Sequence, residues 1–123
     1  MSQFSTIPLC WATPRRYDQP SPFAVVHFRL DGEVLEPASL AEIQLPDTLL
    51  GRRHEGVVFS GRGPLWLYGH LVHLAHAFAW VGVYDPRLSG AVVVMRHTPS
   101  APPLGQVIPC EPYDGVTPET TPA

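Results

Sequence analysis

Runs of apolar residues along the middle of the chain predict a small set of strands. Phe23 to Leu30 alternates, with every second residue apolar and on one face, which is the spacing of a half-buried strand. Shorter apolar runs predict four more strands, at residues 57–59, 80–84, 91–95 and 106–108. The run at 91–95 is continuous and largely β-branched, which is typical of a buried strand.

Two segments between these strands have helical signals. A short helix is predicted from Pro37 to Ile43, and a longer one from Leu65 to about Ala77, each with a proline at or just before its first position. The longer one has an apolar stripe at helical spacing, formed by Leu67, Leu71 and Leu74. Residues 45–55 contain Pro46, Gly51 and two arginines and are interpreted as a loop.

The predicted order is strand, helix, strand, helix, strand, strand. Helices between strands favour parallel crossovers, so we predict an α/β domain with a mixed sheet and one hairpin at its end. Proline is concentrated at both ends of the chain, which has 15 prolines in all. We therefore predict an irregular N-terminal arm at residues 1–22, a folded unit at 23–108 and a flexible, proline-rich tail at 109–123.

Composition narrows the classes of partner. A chain of 123 residues is one domain, and its 45% hydrophobic content supports a modest core. Charged residues make up only 15% of the chain, which favours a surface partly covered by another subunit. The net charge of −3 argues against a broad electrostatic grip on DNA or long RNA. All eight basic residues are arginine, which suits bidentate phosphate contacts but is more typical of a genome-wide composition bias.

The chain also has features that bear on its location. No apolar run reaches the roughly 20 residues that span a bilayer, and the start of the chain has no signal-peptide pattern. Cys10 and Cys110 are interpreted as reduced thiols rather than a disulfide framework. We therefore expect a cytoplasmic protein with no membrane partner.

The turn Ser60-Gly61-Arg62-Gly63 is the first candidate for chemistry. It leads from a predicted strand into the longer predicted helix, where free backbone N–H groups at the positive helix end favour an anion. The glycines let a ligand approach the backbone, Ser60 can donate a hydroxyl and Arg62 offers a fork of N–H donors. The alternative is a plain tight turn in which Ser60 is a cap.

A second candidate is the turn Asp85-Pro86-Arg87. Ser60 and Asp85 both follow predicted strands, so they are expected at the same edge of the sheet, where α/β proteins bind ligands. Asp85 could hold a metal ion or a water, and Arg87 could clamp a phosphate. The alternative is a polar turn with an internal Asp–Arg pair.

Histidines and aromatic residues complete the candidates. His70, His73 and His76 lie on the longer predicted helix, with His97 further along, and a histidine near a phosphate can act as acid, base or metal ligand. His27 and His54 are interpreted as structural or solvated. Trp66 is the better candidate for stacking on a base, and Trp80 is expected in the core.

Two long motifs carry a resemblance to a known family. The stretch from Gly56 to Tyr68, GVVFSGRGPLWLY, and the stretch from Val83 to Leu88, VYDPRL, followed by Gly90 to Val94 and His97, resemble the CRISPR-associated Csx-three family, also called ring nuclease three. The resemblance covers residues 23–108 and implies a Rossmann-like fold in a dimer. It also implies that two dimers form a tetramer around one ring of cyclic tetra-adenylate, with catalytic residues contributed across that sandwich.

The resemblance further implies an activity and its residues. The family accompanies type III CRISPR systems and cleaves this second messenger with the help of manganese, which switches antiviral defence off. His76, Asp85 and Arg87 match the catalytic positions, with Asp85 and His76 as metal ligands. The ligand-binding positions match Ser60, Gly61, Arg62, Gly63, Trp66 and His97.

Two alternatives stay open at this point. Ala77-Phe78-Ala79 replaces a polar, proline-containing segment of the family, and a turned-away His76 would leave a protein that binds the ring without cutting it. The second alternative is a manganese-dependent RNA 3′-exonuclease or RNA-binding protein, since the resemblance implies that some family members bind RNA and trim it from the 3′ end.

Overall fold

A computed structural model describes residues 8–31 and 34–111 of the chain. Residues 1–7 of the predicted arm, residues 32–33 and residues 112–123 of the predicted tail lie outside the described residues.

One seven-stranded mixed sheet forms the centre of the fold. Its strands are β1 (Leu9–Trp11), β2 (Arg15–Tyr17), β3 (Phe23–Leu30), β4 (Gly56–Ser60), β5 (Trp80–Asp85), β6 (Gly90–Arg96) and β7 (Val107–Pro109). The central strands β3, β4 and β5 run parallel, while β6 and β7 add antiparallel after a hairpin. This confirms the predicted α/β class, with a mixed sheet and a hairpin at its end.

Helices fill the two crossovers between the parallel strands. A 3₁₀ helix at Pro37–Glu42 and the short helix α1 at Asp47–Leu50 lie between β3 and β4, and helix α2 at Leu65–Leu74 lies between β4 and β5. The segment 45–55, interpreted as loop, therefore contains one helical turn. In the described part of the chain, no helix has the length and apolar character needed to cross a membrane.

Helix α2 ends three residues earlier than predicted. Phe78, only 1% exposed, is drawn into the core, and its amide donates to the carbonyl of Ala75 at 2.9 Å. This tight turn redirects the chain toward the start of β5. The helix ends here because burying the phenyl ring of Phe78 stabilises the domain more than another helical turn on the surface would.

The prediction of an irregular arm at residues 1–22 is wrong for two segments. Strands β1 and β2 both pair antiparallel with β3, which would otherwise be an unprotected sheet edge. Trp11 packs edge-on against Phe28, with ring centroids 6.1 Å apart, and Tyr17 stacks on Phe23 at 5.0 Å. The aromatic residues outweigh the local proline signal because they bury apolar area against the sheet.

An ion cluster fixes β2 to the turn before β4. Glu55, whose side chain is 9% exposed, binds Arg16, and Arg52 reaches the same carboxylate at 3.2 Å. Burial pushes the pKa of Glu55 upward, but the hydrogen bond and charge of Arg16, joined by Arg52, outweigh burial and hold that pKa below its ordinary value.

Different segments of the chain pack against the two faces of the sheet. On the helical face, α2 contributes Leu67 and Leu71 to a cluster with residues of β3, β4 and β5. The opposite face, here called the loop face, is covered by Trp80 and by the segment 97–106, which includes buried Ala101. The guanidinium of Arg96 holds that segment through the carbonyls of residues 99, 101 and 102. The expectation that Trp80 lies in the core is confirmed.

The two cysteines are free thiols that lie apart. Cys10 is exposed and donates to a carboxylate oxygen of Asp31 at 2.7 Å, and this hydrogen bond raises the pKa of Cys10. Cys110 is buried, and burial raises the pKa of its thiol to about 11.

Candidate functional site

The carboxyl ends of β4 and β5 lie side by side at one edge of the sheet. The register of these parallel strands pairs Phe59 with Val83, so Ser60 and Asp85 both follow at the same end. We call this end the carboxyl edge. The Ser60-Gly61-Arg62-Gly63 turn, here called the glycine turn, and the Asp85–Arg87 turn both leave the sheet there, which is where open α/β sheets bind ligands.

Residues of β3 and α2 contact the backbone of the glycine turn. Gly61 has a φ of +142°, and a Cβ atom at this position would lie 2.5 Å from the carbonyl oxygen of Phe28. The hydroxyl of Tyr68 donates to the carbonyl of Gly61 at 2.5 Å, and burial raises the pKa of Tyr68 to about 12. The turn is therefore preorganised, and a side chain at residue 61 is excluded.

The start of α2 offers backbone donors beside this turn. Its N-cap residue is Pro64, which makes no side-chain capping hydrogen bond. Helix N-termini without a side-chain cap leave first-turn N–H groups for water or an anion. Arg62 is exposed next to them. A phosphate at this point would meet helix N–H groups and one guanidinium.

Large apolar side chains lie exposed along the same edge. Leu65 and Trp66, at the start of α2, are 89% and 40% exposed, and Leu88, in the turn after β5, is 50% exposed. Exposed apolar residues that alternate with arginines are typical of a surface that takes bases and phosphates together, or a second protein chain.

Asp85 and Arg87 form an internal pair in this structure. The Arg87 guanidinium lies 3.2 Å from Asp85 Oδ2, and the Arg87 backbone amide donates to Asp85 Oδ1 at 2.9 Å. The side-chain hydrogen bond from Arg87 is the main cause that lowers the pKa of Asp85, followed by the backbone one. The Arg87 side chain is 88% exposed, and an ion pair so exposed contributes little stability, so a ligand phosphate can compete for the guanidinium.

His76 lies at the opposite end of the sheet. It follows α2 and precedes β5, whereas Asp85 is the last residue of β5. A strand of six residues at about 3.3 Å per residue separates these ends by roughly 16 Å. His97 is also at this second end, because its amide donates to the carbonyl of Ala79 at 2.8 Å. We call this end the amino edge.

The proposed site is thus divided between two edges of one chain. The carboxyl edge holds the glycine turn, Trp66, Asp85 and Arg87, and the amino edge holds His76 and His97. Within one chain the structure does not bring His76 and Asp85 together, although the two residues are only nine positions apart in the sequence.

The ring of His76 has a defined hydrogen-bonding role. Its Nδ1 lies 3.0 Å from the backbone carbonyl of His73, an oxygen that can only accept, so Nδ1 carries a hydrogen. The rings of His73 and His76 stack, with centroids 5.7 Å apart. Nε2 of His76 is therefore the nitrogen left for proton transfer or metal binding, and His76 itself is exposed.

The described residues of one chain do not fit a metal ion. Among them, no group of three or more His, Cys, Asp or Glu side chains is arranged to hold one. Asp85 is the one proposed ligand at the carboxyl edge, and its oxygens are engaged by Arg87. A manganese ion would need ligands from outside this chain.

The sequence analysis missed His27, which the structure places in direct contact with Ser60 of the glycine turn. His27 on β3 is the register partner of Ser60 on β4, and its Nδ1 lies 3.0 Å from Ser60 Oγ. The signal was the alternation of β3, which puts His27 on the same sheet face as Val25. Nothing in the sequence indicated that β3 and β4 pair in this register.

The fold and the edge define an α/β domain with a preorganised glycine turn after its second parallel strand. The chain matches the family described as CRISPR-associated protein (Cas_csx3) over residues 27–109. An uncharacterized protein of Aquifex aeolicus (strain VF5) is 42% identical over 88 residues, which cover 71% of this chain and 78% of that relative. The chain belongs to the Cas_csx3 family of CRISPR-associated proteins.

Proposed function

We propose that this protein binds cyclic tetra-adenylate at its carboxyl edge and cleaves it in an assembly of several copies. The ring nuclease would act in the cytoplasm and switch off type III CRISPR defence. The observation that carries the proposal is the glycine turn, which is held rigid by its neighbours and lies at a helix start without a side-chain cap, in a chain of this family.

Binding follows from the chemistry of the carboxyl edge. Ser60, Arg62 and the first N–H groups of α2 would take the phosphates, and Arg87 would leave Asp85 to join them. Trp66 offers a partly exposed indole on which an adenine could stack. A ligand with fourfold repetition of phosphate and base matches a symmetric assembly that presents the same edge more than once.

Cleavage would need a second copy of the chain. With His76 and Asp85 at opposite edges, a complete site forms when the amino edge of one copy faces the carboxyl edge of another. His76 would then act through Nε2 as acid or base on a phosphodiester held by the partner copy's turn. Donors fixed before the ligand arrives stabilise developing charge without reorganisation, which favours the transition state over the ground state.

The proposed manganese would be shared in the same way. Asp85 would supply carboxylate oxygens. Nε2 of His76 from a second copy would supply an imidazole nitrogen as the alternative to its role as acid or base, and these ligand types suit this ion. When bound, the metal would supply charge to polarise a phosphoryl oxygen.

The edge separation also favours one alternative function. In a single chain the carboxyl edge has the complete turn with Asp85 and Arg87 but lacks His76, so this edge could bind the ring without cutting it. A non-cleaving sensor or sponge is therefore the second candidate. An exonuclease or RNA-binding protein acting on long RNA is less favoured, because the net charge of −3 gives no broad basic surface.

The decisive experiment incubates purified protein with cyclic tetra-adenylate, with and without manganese, and separates the products by chromatography. We expect linear adenylates in the presence of metal. A linear oligonucleotide of the same length serves as the substrate control. An intact ring that co-elutes with the protein would refute cleavage and establish the binder, and preferred trimming of the linear RNA would refute the ring as substrate.

A further inference from the structure

We propose that His27 is a positioning residue that sets the direction of the Ser60 hydroxyl when a phosphate occupies the glycine turn. In that state, His27 donates its Nδ1–H to Ser60 Oγ, and Ser60 donates its own hydrogen to a phosphate oxygen. The choice of ligand rests on the proposed function, but the inference itself requires only that a phosphate binds at the turn.

The contact between the two residues is built into the sheet. Parallel strands β3 and β4 place His27 opposite Ser60, and alternation along both strands puts the two side chains on the loop face beyond Val25 and Val58. Nδ1 of His27 and Oγ of Ser60 are 3.0 Å apart. Ser60 is only 2% exposed, so few hydrogen-bonding groups can reach its hydroxyl.

The direction of this hydrogen bond decides what Ser60 can do for an anion. A hydroxyl has one hydrogen to donate. If Nδ1 accepts that hydrogen, Ser60 presents lone pairs to the phosphate and weakens binding. If Nδ1 carries a hydrogen and donates it, the serine hydrogen is free to point outward, and the histidine reinforces it through a short chain of hydrogen bonds.

The position of Ser60 makes this direction important. Ser60 immediately precedes Gly61, whose carbonyl accepts from Tyr68, and α2 begins five residues after Ser60. The phosphate would lie over the carboxyl end of β4, between the Ser60 hydroxyl on the loop face and the start of α2 on the helical face. The other groups proposed to take the phosphates, Arg62, Arg87 and the first N–H groups of α2, are all donors. A serine presenting lone pairs would be the one unfavourable contact in the set.

Substitutions of equal shape separate this role from a packing role. Asn places an amide nitrogen near the position of Nδ1 and can donate to Ser60, whereas Asp has the same shape and can only accept. We expect His27→Asn to bind within about threefold of the parent, His27→Ala to bind more weakly, and His27→Asp to be weakest, about 10- to 100-fold below the parent.

Ser60→Ala isolates the part of the effect that passes through the hydroxyl. We expect this variant alone to bind about 10- to 100-fold more weakly. In the Ser60→Ala background, the difference between Asn and Asp at residue 27 should shrink to the plain effect of added charge. His70→Asn and His70→Asp, on α2, provide the matched controls for charge, and the unfolding midpoint of every variant checks that it folds.

Binding is measured by calorimetry with three probes: cyclic tetra-adenylate, linear tetra-adenylate and inorganic phosphate. The expected order with any probe supports the inference, and if only the linear probe or phosphate binds, the proposed function fails while the inference stands. Binding of the ring with equal affinity in the Asn and Asp variants would overturn the inference and leave the function intact. No binding of any probe would overturn both.

Discussion

The division of the site between two edges predicts that two inactive variants restore each other. His76→Ala removes the imidazole at the amino edge, and Asp85→Ala removes the carboxylate at the carboxyl edge. Each variant alone should lose cleavage of cyclic tetra-adenylate, because every site would lack one of the two groups. The His76→Ala variant should still bind the ring, since its glycine turn is unchanged.

The expected activity of the mixture can be calculated. A working site takes its carboxyl edge from the His76→Ala variant and its amino edge from the Asp85→Ala variant. At equal concentrations and random pairing, each of these choices has a chance of one half, so about a quarter of the sites are complete. The mixture should therefore regain about 25% of the parent's rate at the same total protein concentration.

The assay is chromatographic product formation from each variant and from mixtures at ratios from 1:9 to 9:1. Restored activity should follow the product of the two fractions and peak at equal amounts. Arg87→Ala paired with Asp85→Ala is the control, since both changes lie at the carboxyl edge and no mixed site can combine two intact edges. A mixture no more active than its parts would refute a site shared between copies, and full activity of either single variant would refute the role given to that residue.

Two further predictions concern stability. Gly61→Ala places a Cβ atom against the carbonyl oxygen of Phe28 at a residue with positive φ. This variant should destabilise the fold by about 1–3 kcal/mol and weaken binding of the ring. Gly69→Ala is the control, because its Cβ atom would lie in open space on α2, and it should stabilise the fold by up to about 1 kcal/mol. Chemical denaturation measures both, and an unchanged Gly61→Ala would contradict the argument. Glu55→Gln should cost about 1–3 kcal/mol at pH 7 because it removes the negative charge from the group that accepts the hydrogen bond from Arg16. The pKa of Glu55 is lowered in the fold, so its contribution is present above the ordinary Glu value of about 4.3 and is lost as pH falls through the folded value. A gap between parent and Glu55→Gln that persisted at the lowest pH would contradict this assignment.

Local patterns were sufficient for most of the sheet. The alternation of Phe23–Leu30 coincides with β3, and the apolar runs at 57–59, 80–84 and 91–95 lie inside β4, β5 and β6. Strand-forming residues with period two report on local geometry and burial at once, so one sequence is enough to find them. The same approach missed β1 and β2, because three-residue strands in a proline-rich segment have no period to detect and depend on the edge of β3 for their stability.

The candidate site could be predicted in its parts but not in its arrangement. By itself, the sequence determined the glycine turn, the arginines beside it and the family motifs, since each depends on residues adjacent along the chain. Only the tertiary structure decided that His27, 33 positions before Ser60, touches it, and that His76, although close to Asp85 in sequence, lies at the other end of the sheet. The physical reason is the strand itself: β5 is extended and rigid, so it separates what the sequence places close together, while parallel pairing of β3 and β4 joins residues that the sequence holds far apart.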